Sequence, residues 1–450
     1  MNNNTLWSLR LGFSNRQAGL IEKKGIKQFV QDSFNASYSN EFPDYLSLEP
    51  MTLESRRFLQ DQIRNDAVKS KEDAKLRKAN FQNLNFDWIK RMTSDTYPLR
   101  EKMVCFWHNH YVASARAVKL NYWVHLHNSA IRNDAFGNFK ELTKVMIKSN
   151  AILRYLDNYK NTKSKINENL SRELLELFTI GINNYTEDDV KNGAKALAGL
   201  QFGDKAGLYN PKAEYTGEIT FLGRTGKFKS DDIIDIIFEQ PNIPYLLTKK
   251  LLQWFIYDNP PKELVKYYGD YFKLQNFEIK PLLLKIFTEE FNKNTAGSKI
   301  KDPLCYAIQL TDELKIKTKQ EQIIFNFIKL QGMELFNQPN VKGWEGGNTW
   351  ITSQILNDRN ALADQLCFKN KNMELSTTTS EVYITRNSTH NNKQVIKELQ
   401  DRLLFSVDEE LQKSFEEILQ HDFDPAAPGA NLAVLQLFNN MVKLPEFQIV

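Results

Sequence analysis

The chain has 450 residues, with 59 Lys plus Arg against 55 Asp plus Glu, so its formal net charge is +4. So small an excess excludes a nucleic-acid binder that works by bulk charge, which needs a concentrated basic face. Hydrophobic residues at 41% and charged residues at 25% exclude whole-chain disorder and a collagen-like chain.

The first ten residues, Met1 to Arg10, have neither a basic start nor an apolar run of about 7–15 residues. They predict no secretory signal in the chain as given, hence a cytoplasmic protein or an already processed exported form. Nowhere is an apolar stretch long enough to predict a membrane span. Gly at 19 and Pro at 14 are scarce for this length, which predicts long elements with few turns between them.

Residues 52–79 interleave charges of both signs and read as a solvated helix. Apolar residues at helical spacing predict helices over 99–115, 121–130 and 139–156. A helix from Asn167 to Ile180 follows, with Gly181 where a left-handed C-terminal cap is wanted. Thr186 and Asp189 resemble a capping box that starts a helix to about Leu200. Turn signals across 207–227 surround the short apolar run Ile219–Leu222 and predict a small β-hairpin excursion. Helices are then predicted at 231–238, 243–257, 261–273, 279–291, 302–316, 318–336 and 352–367, with a loop over 337–349. Residues 369–393 are polar and read as a mobile insertion, and three more helices lie near 394–405, 407–420 and 430–443. The expectation is an all-α, multi-helix globular protein in a single domain, with a soft division possible near residue 205. Cys105, Cys305 and Cys367 are an odd number at wide spacing with no C-x-x-C, so they are expected to be buried, inert thiols.

Three features carry candidate chemistry. Four of six histidines, His108, His110, His125 and His127, fall within twenty positions. Residues two apart on a helix point about 200° apart, so at most one of each pair can face a common site. Such a His serves as a metal ligand or general base, or donates to a backbone carbonyl as a half-buried structural group. On the 167–180 helix, Leu170, Leu174 and Leu177 make a core stripe, while Asn169, Arg172, Glu173 and Glu176 cover the other face, with Glu168 beside Arg172. Glu173 and Glu176 at i, i+3 suit a shared metal or an acid–base pair, and a solvated or salt-bridged face is the alternative. Finally, the loop with Asn340, Gly343, Trp344, Gly346, Gly347 and Trp350 offers bare backbone and flat indole faces to a carbohydrate or aromatic ligand, or else forms a tight corner plugged by its tryptophans.

The segments Leu9-Arg-Leu-Gly-Phe13, Lys102-Met-Val-Cys-Phe-Trp-His-Asn-His110, Asn167 to Gly181 with Tyr185-Thr-Glu-Asp-Asp-Val190, Leu335 to Trp350, and Leu444-Pro-Glu-Phe447 follow one another along the chain. Together they resemble the bacterial domain-of-unknown-function family 1800. The resemblance runs nearly end to end and implies a mostly helical bacterial protein without naming a reaction. Where relatives often carry a His-Asp pair, this chain has Tyr209-Asn210.

The expected function is a hydrolase or lyase acting on an envelope or environmental polymer or glycan. His108, His110, Arg172, Glu173 and Glu176 would be catalytic, and Asn340, Gly343, Trp344 and Trp350 would bind substrate. A divalent transition metal is possible, with His108, His110 and Glu173 as its candidate ligands. The alternative is a non-catalytic protein that binds a partner protein and whose polar motifs are structural.

Overall fold

The computed structural model describes residues 1–316, 318–368, 391–420, 424, 427 and 429–450. Most of the predicted insertion at 369–393 therefore lies outside the described residues. The protein is 64% helical, and its only sheets among the described residues are two small antiparallel pairs. Leu200–Gln201 pairs with Leu208–Tyr209, and Ile219–Phe221 pairs with Arg224–Gly226. The β excursion thus begins slightly earlier than the turn signals indicated, because Leu200 leaves its helix and pairs back onto Tyr209.

Local capping sets many of the helix starts. Asn2 accepts from the Thr5 amide and opens the Asn3–Leu11 helix. Asp66 accepts from the Val68 and Lys69 amides and separates Leu53–Asn65 from the long Ala67–Ser94 helix. Thr186 and Asp189 form the reciprocal capping box of Glu187–Ala196.

The centre of the molecule is the Leu99–His110 helix, which is buried on nearly every side. It packs on Asn121–Asn133, Ile26–Asn35 and Ala67–Ser94. Its charged residues are satisfied inside. Glu101 accepts two hydrogen bonds, at 2.7 and 2.9 Å, from the Arg132 guanidinium, with both side chains at or below 3% exposure. Lys102 lies 3.4 Å from Asp302. Helices Ile243–Phe255, Lys262–Leu274 and Ile279–Phe291 pack in succession beside this core.

The 167–180 segment is not one α-helix. Asn169–Glu173 is α-helical, and Leu174–Thr179 is a π-helix. The Ile180 amide reaches back five residues to the Leu175 carbonyl. That wider turn shifts the inward face. Leu170 and Leu174 are buried as predicted, but Leu175 and Phe178 complete the stripe, and Leu177 is only half-buried. Gly181 ends the segment at φ +82°, as its cap position requires.

Candidate functional site

The C-terminal end of the central helix opens into a cleft of about 500 Å³. Phe106, Trp254, Trp344 and Trp350 supply ring faces, and His110, Lys250, Lys299, Lys342 and Asp258 supply charge or titratable groups. Trp344 and Trp350 are 5% and 6% exposed, so each plugs the core and lines the cleft at once. The indole N–H groups of Trp254 and Trp344 are buried with no hydrogen-bond partner. The core indoles of Trp7 and Trp88 share this state, so it does not by itself mark the cleft.

The π-turn and the central helix meet at His110. Its Nε2 lies 3.0 Å from the Phe178 carbonyl oxygen, which can only accept, so Nε2 carries the proton. Its Nδ1 is then an acceptor, and it faces Lys250 Nζ at 3.4 Å. Lys250 Nζ also donates to the Leu177 carbonyl at 2.8 Å. These two carbonyls sit at a helix end, where they lack intrahelical donors, and a cation there is favoured. Burial, and then the Lys250 charge, hold the His110 pKa well below its usual value, so the imidazole is neutral. Burial lowers the Lys250 pKa to about 8.

The Trp344 loop is stapled to the central helix by Asn109. The Trp344 amide donates to Asn109 Oδ1 at 2.6 Å, and Asn109 Nδ2 donates to the Trp344 carbonyl at 3.2 Å. Gly343 makes this possible. At φ +86° a Cβ there would lie 2.2 Å from Asn109 Oδ1. Opposite the loop, Asp258 accepts from the Ile300 amide at 2.9 Å and lies 3.6 Å from Lys299. Lys299 Nζ donates to the Gln253 carbonyl.

The structure divides the sequence-predicted residues. His110, Trp344 and Trp350 share the cleft, and Gly343 supports it from behind. His108 is on the other side of its helix, as the i, i+2 spacing requires, among Trp88, His127 and Phe336. Its Nε2 accepts from Asn128 at 3.0 Å, its Nδ1 has no partner, and burial holds its pKa well below the usual value. His127 bonds Ser149 and the Tyr111 carbonyl, and burial lowers its pKa to about 4.

The 103–115 and 167–180 segments do pack together, through His110 and Tyr111 on Phe178. Glu173 and Glu176 are not among the residues that line the cleft with His110. Glu176 accepts from the Tyr185 hydroxyl at 3.0 Å. Burial and then repulsion by Glu176 raise the Glu173 pKa, opposed by Arg172 and by Lys342 of the loop. Arg172 pairs with Glu168 at 3.1 Å and Glu187 at 2.8 Å on a partly exposed face. Asn340 is exposed and caps its own turn by accepting from the Lys342 amide. Among the described residues no group of three or more His, Cys, Asp and Glu could hold a metal ion, so His108, His110 and Glu173 do not form the ligand set considered from sequence.

Sequence reasoning missed Asn109, Lys250, Gln253, Trp254, Asp258 and Lys299. Asn109 lies between the two histidines that drew attention. Lys250, Gln253, Trp254 and Asp258 belong to an ordinary amphipathic helix and its following turn, Lys299 lies in the stretch before the Pro303–Glu313 helix, and no motif marks any of them.

A family model matches residues 6–449. No curated protein and no solved structure matches the chain. The match spans nearly the whole chain, from the first buried helix to the final residues that pack on the core, and the protein therefore belongs to the family described as protein of unknown function (DUF1800).

Proposed function

We propose that the chain binds an anionic polysaccharide in the His110–Trp344 cleft and cleaves it by β-elimination, with Lys250 as the base. The observation that carries this reading is an amine of lowered pKa held against a neutral imidazole, among four aromatic rings and two further lysines. Ring faces suit the apolar faces of sugars. Lys299 and Lys342 supply the charge that would neutralise a uronate carboxylate as the carbon beside it loses a proton.

Neutral Lys250 takes that proton. The electron pair forms a carbon–carbon double bond, and the bond to the neighbouring sugar oxygen breaks. The ammonium so formed returns its proton to the departing oxygen. His110 positions the amine by accepting one of its hydrogens at Nδ1. Hydrolysis by a carboxylate pair has less support. The cleft carboxylates are Asp258 and Glu345, and Asp258 already serves the Ile300 amide and Lys299.

The test is incubation with uronate oligosaccharides, read by the ultraviolet absorbance of the new conjugated double bond. The rate should rise with pH through about 8, as Lys250 loses its proton. Lys250→Met should lower it by at least about a hundredfold, the usual contribution of a general base, while binding stays within a few-fold. Full activity in that variant would sink the assignment of Lys250. Binding without turnover would favour the non-catalytic reading of the same cleft.

A further inference from the structure

A second cleft of about 470 Å³ adjoins the first. It is lined by Tyr245, Lys249, Gln253, Asn259, Pro260, Lys262, Val265 and Lys266, and it shares Gln253 and Asn259 with the His110–Trp344 cleft. The helix Ile243–Phe255 is the wall between them, and its periodicity explains the arrangement. Tyr245, Lys249 and Gln253 are four apart and form one stripe, facing the second cleft. Lys250, Gln253 and Trp254 form the adjacent stripe, facing the first. Gln253 stands on the crest between the two. The far wall comes from the next helix, Lys262–Leu274, where Lys262, Val265 and Lys266 share a face.

The composition of the second cleft is one-sided. Three lysines line it and no carboxylate does. Lys266 is partly neutralised by Asp270 at 2.5 Å, and the Tyr245 hydroxyl also donates to Asp270. Among the described residues Lys249 and Lys262 have no ion-pair partner, and both are exposed. The remaining lining is a tyrosine ring, a proline and a valine, with the Gln253 and Asn259 amides at the side shared with the first cleft, so apolar surface lies among cationic groups. An anionic sugar strand fits that pattern, with ring faces on Tyr245 and Pro260 and acidic groups on the lysines.

We propose that the two clefts form one groove, with the second a distal subsite for the same anionic polysaccharide strand, crossing the Gln253–Asn259 saddle. This rests on the polysaccharide reading of the first cleft, and it adds that the substrate is a chain gripped over several units rather than a single sugar. Single-stranded nucleic acid is the other polyanion that uses lysines and aromatic rings. The grooves favour the glycan, because they contain no arginine and offer amide and hydroxyl groups from Asn348 and Thr349.

The experiment measures binding of heparin-derived disaccharide and octasaccharide to the full chain, with a single-stranded deoxyoligonucleotide and uncharged maltooctaose as comparisons. Wild type should bind the octasaccharide more tightly than the disaccharide and the maltooctaose weakly. The exposed-lysine variant Lys262→Gln/Lys266→Gln should weaken octasaccharide binding about tenfold, roughly 1.4 kcal/mol, while leaving disaccharide binding and the melting temperature unchanged. Trp344→Ala should weaken both sugars. Equal affinity for the two lengths, or an octasaccharide affinity indifferent to the double variant, would overturn the distal subsite and leave the first-cleft reading standing. Tighter binding of the oligonucleotide would overturn the glycan assignment of the groove. Failure of wild type to bind either sugar would remove the first-cleft reading and this one with it.

Discussion

Lys301 shows how much a single buried side chain can cost. It is 1% exposed, its ammonium has no hydrogen-bond partner, and its nearest compensation is the Phe447 ring, 3.6 Å below. Burial lowers its pKa from 10.5 to about 7. A lysine whose folded pKa is depressed opposes folding wherever the unfolded chain is protonated. The penalty is therefore full below pH 7, fades between 7 and 10.5, and is gone above 10.5. Lys301→Met keeps most of the volume and removes the orphaned donor. It should stabilise the protein by on the order of 1–3 kcal/mol at pH 6, the usual cost of an unsatisfied buried polar group. Melting curves at pH 6 and above 10.5 check this, and a variant that melts below wild type at pH 6 would show that the ammonium has a favourable role. Arg172 is the opposite case. Its side chain is 34% exposed and its partners Glu168 and Glu187 are 36% and 65% exposed. Exposed pairs contribute little. Arg172→Ala should melt close to wild type, and a large drop would contradict the solvated face.

At the scale of elements, the site depends on a π-turn and a stapled loop. The π-turn places the Leu177 and Phe178 carbonyls where Lys250 and His110 reach them. The loop is held by one amide, Asn109, across a glycine that has no room for a side chain. Gly343→Ala must adopt a strained positive φ and push Asn109 aside, so both staple hydrogen bonds are lost. A destabilisation of about 1–3 kcal/mol is expected from the two causes together. Faster amide exchange should appear at Trp344 and its neighbours, with loss of ligand binding in the cleft. Unchanged exchange there would mean that the loop is held by its tryptophans alone.

Across the whole molecule, residues distant in sequence close the site. Lys299 reaches the cleft because the segment around it is clamped by the last residues of the chain. The Lys299 and Val450 backbones exchange hydrogen bonds in both directions, and the Lys301 amide donates to the Gln448 carbonyl. Phe447 is fully buried on Tyr306, and Gln448 accepts from the buried Arg359 guanidinium at 2.9 Å. Removing residues 445–450 should cost at least about 3–5 kcal/mol, the scale for deleting one buried aromatic side chain. Ligand affinity should fall with it, because Lys299 and Asp258 lose their common support. Calorimetry and binding on the shortened chain check both, and wild-type affinity would show that the cleft is independent of this clamp.

The sequence by itself determined the helical class, most element boundaries, the Thr186 capping box and the Gly181 cap. These are local consequences of periodicity and capping chemistry, which act over a few residues. It also showed that His108 and His110 could not serve one site, since helical geometry turns them apart. Tertiary structure decided which of the two faces the cleft, and it lines that cleft with Lys250 rather than with Glu173 and Glu176. The reason is physical. A π-turn is invisible to a 3.6-residue period, so the inward face passed from Leu177 to Leu175 and Phe178, and the helix offers His110 its carbonyls rather than its carboxylates. Lys250, Asp258 and Lys299 carry no local signature of a site. Their significance comes from burial and from neighbours far away in the chain, which only the packed molecule supplies.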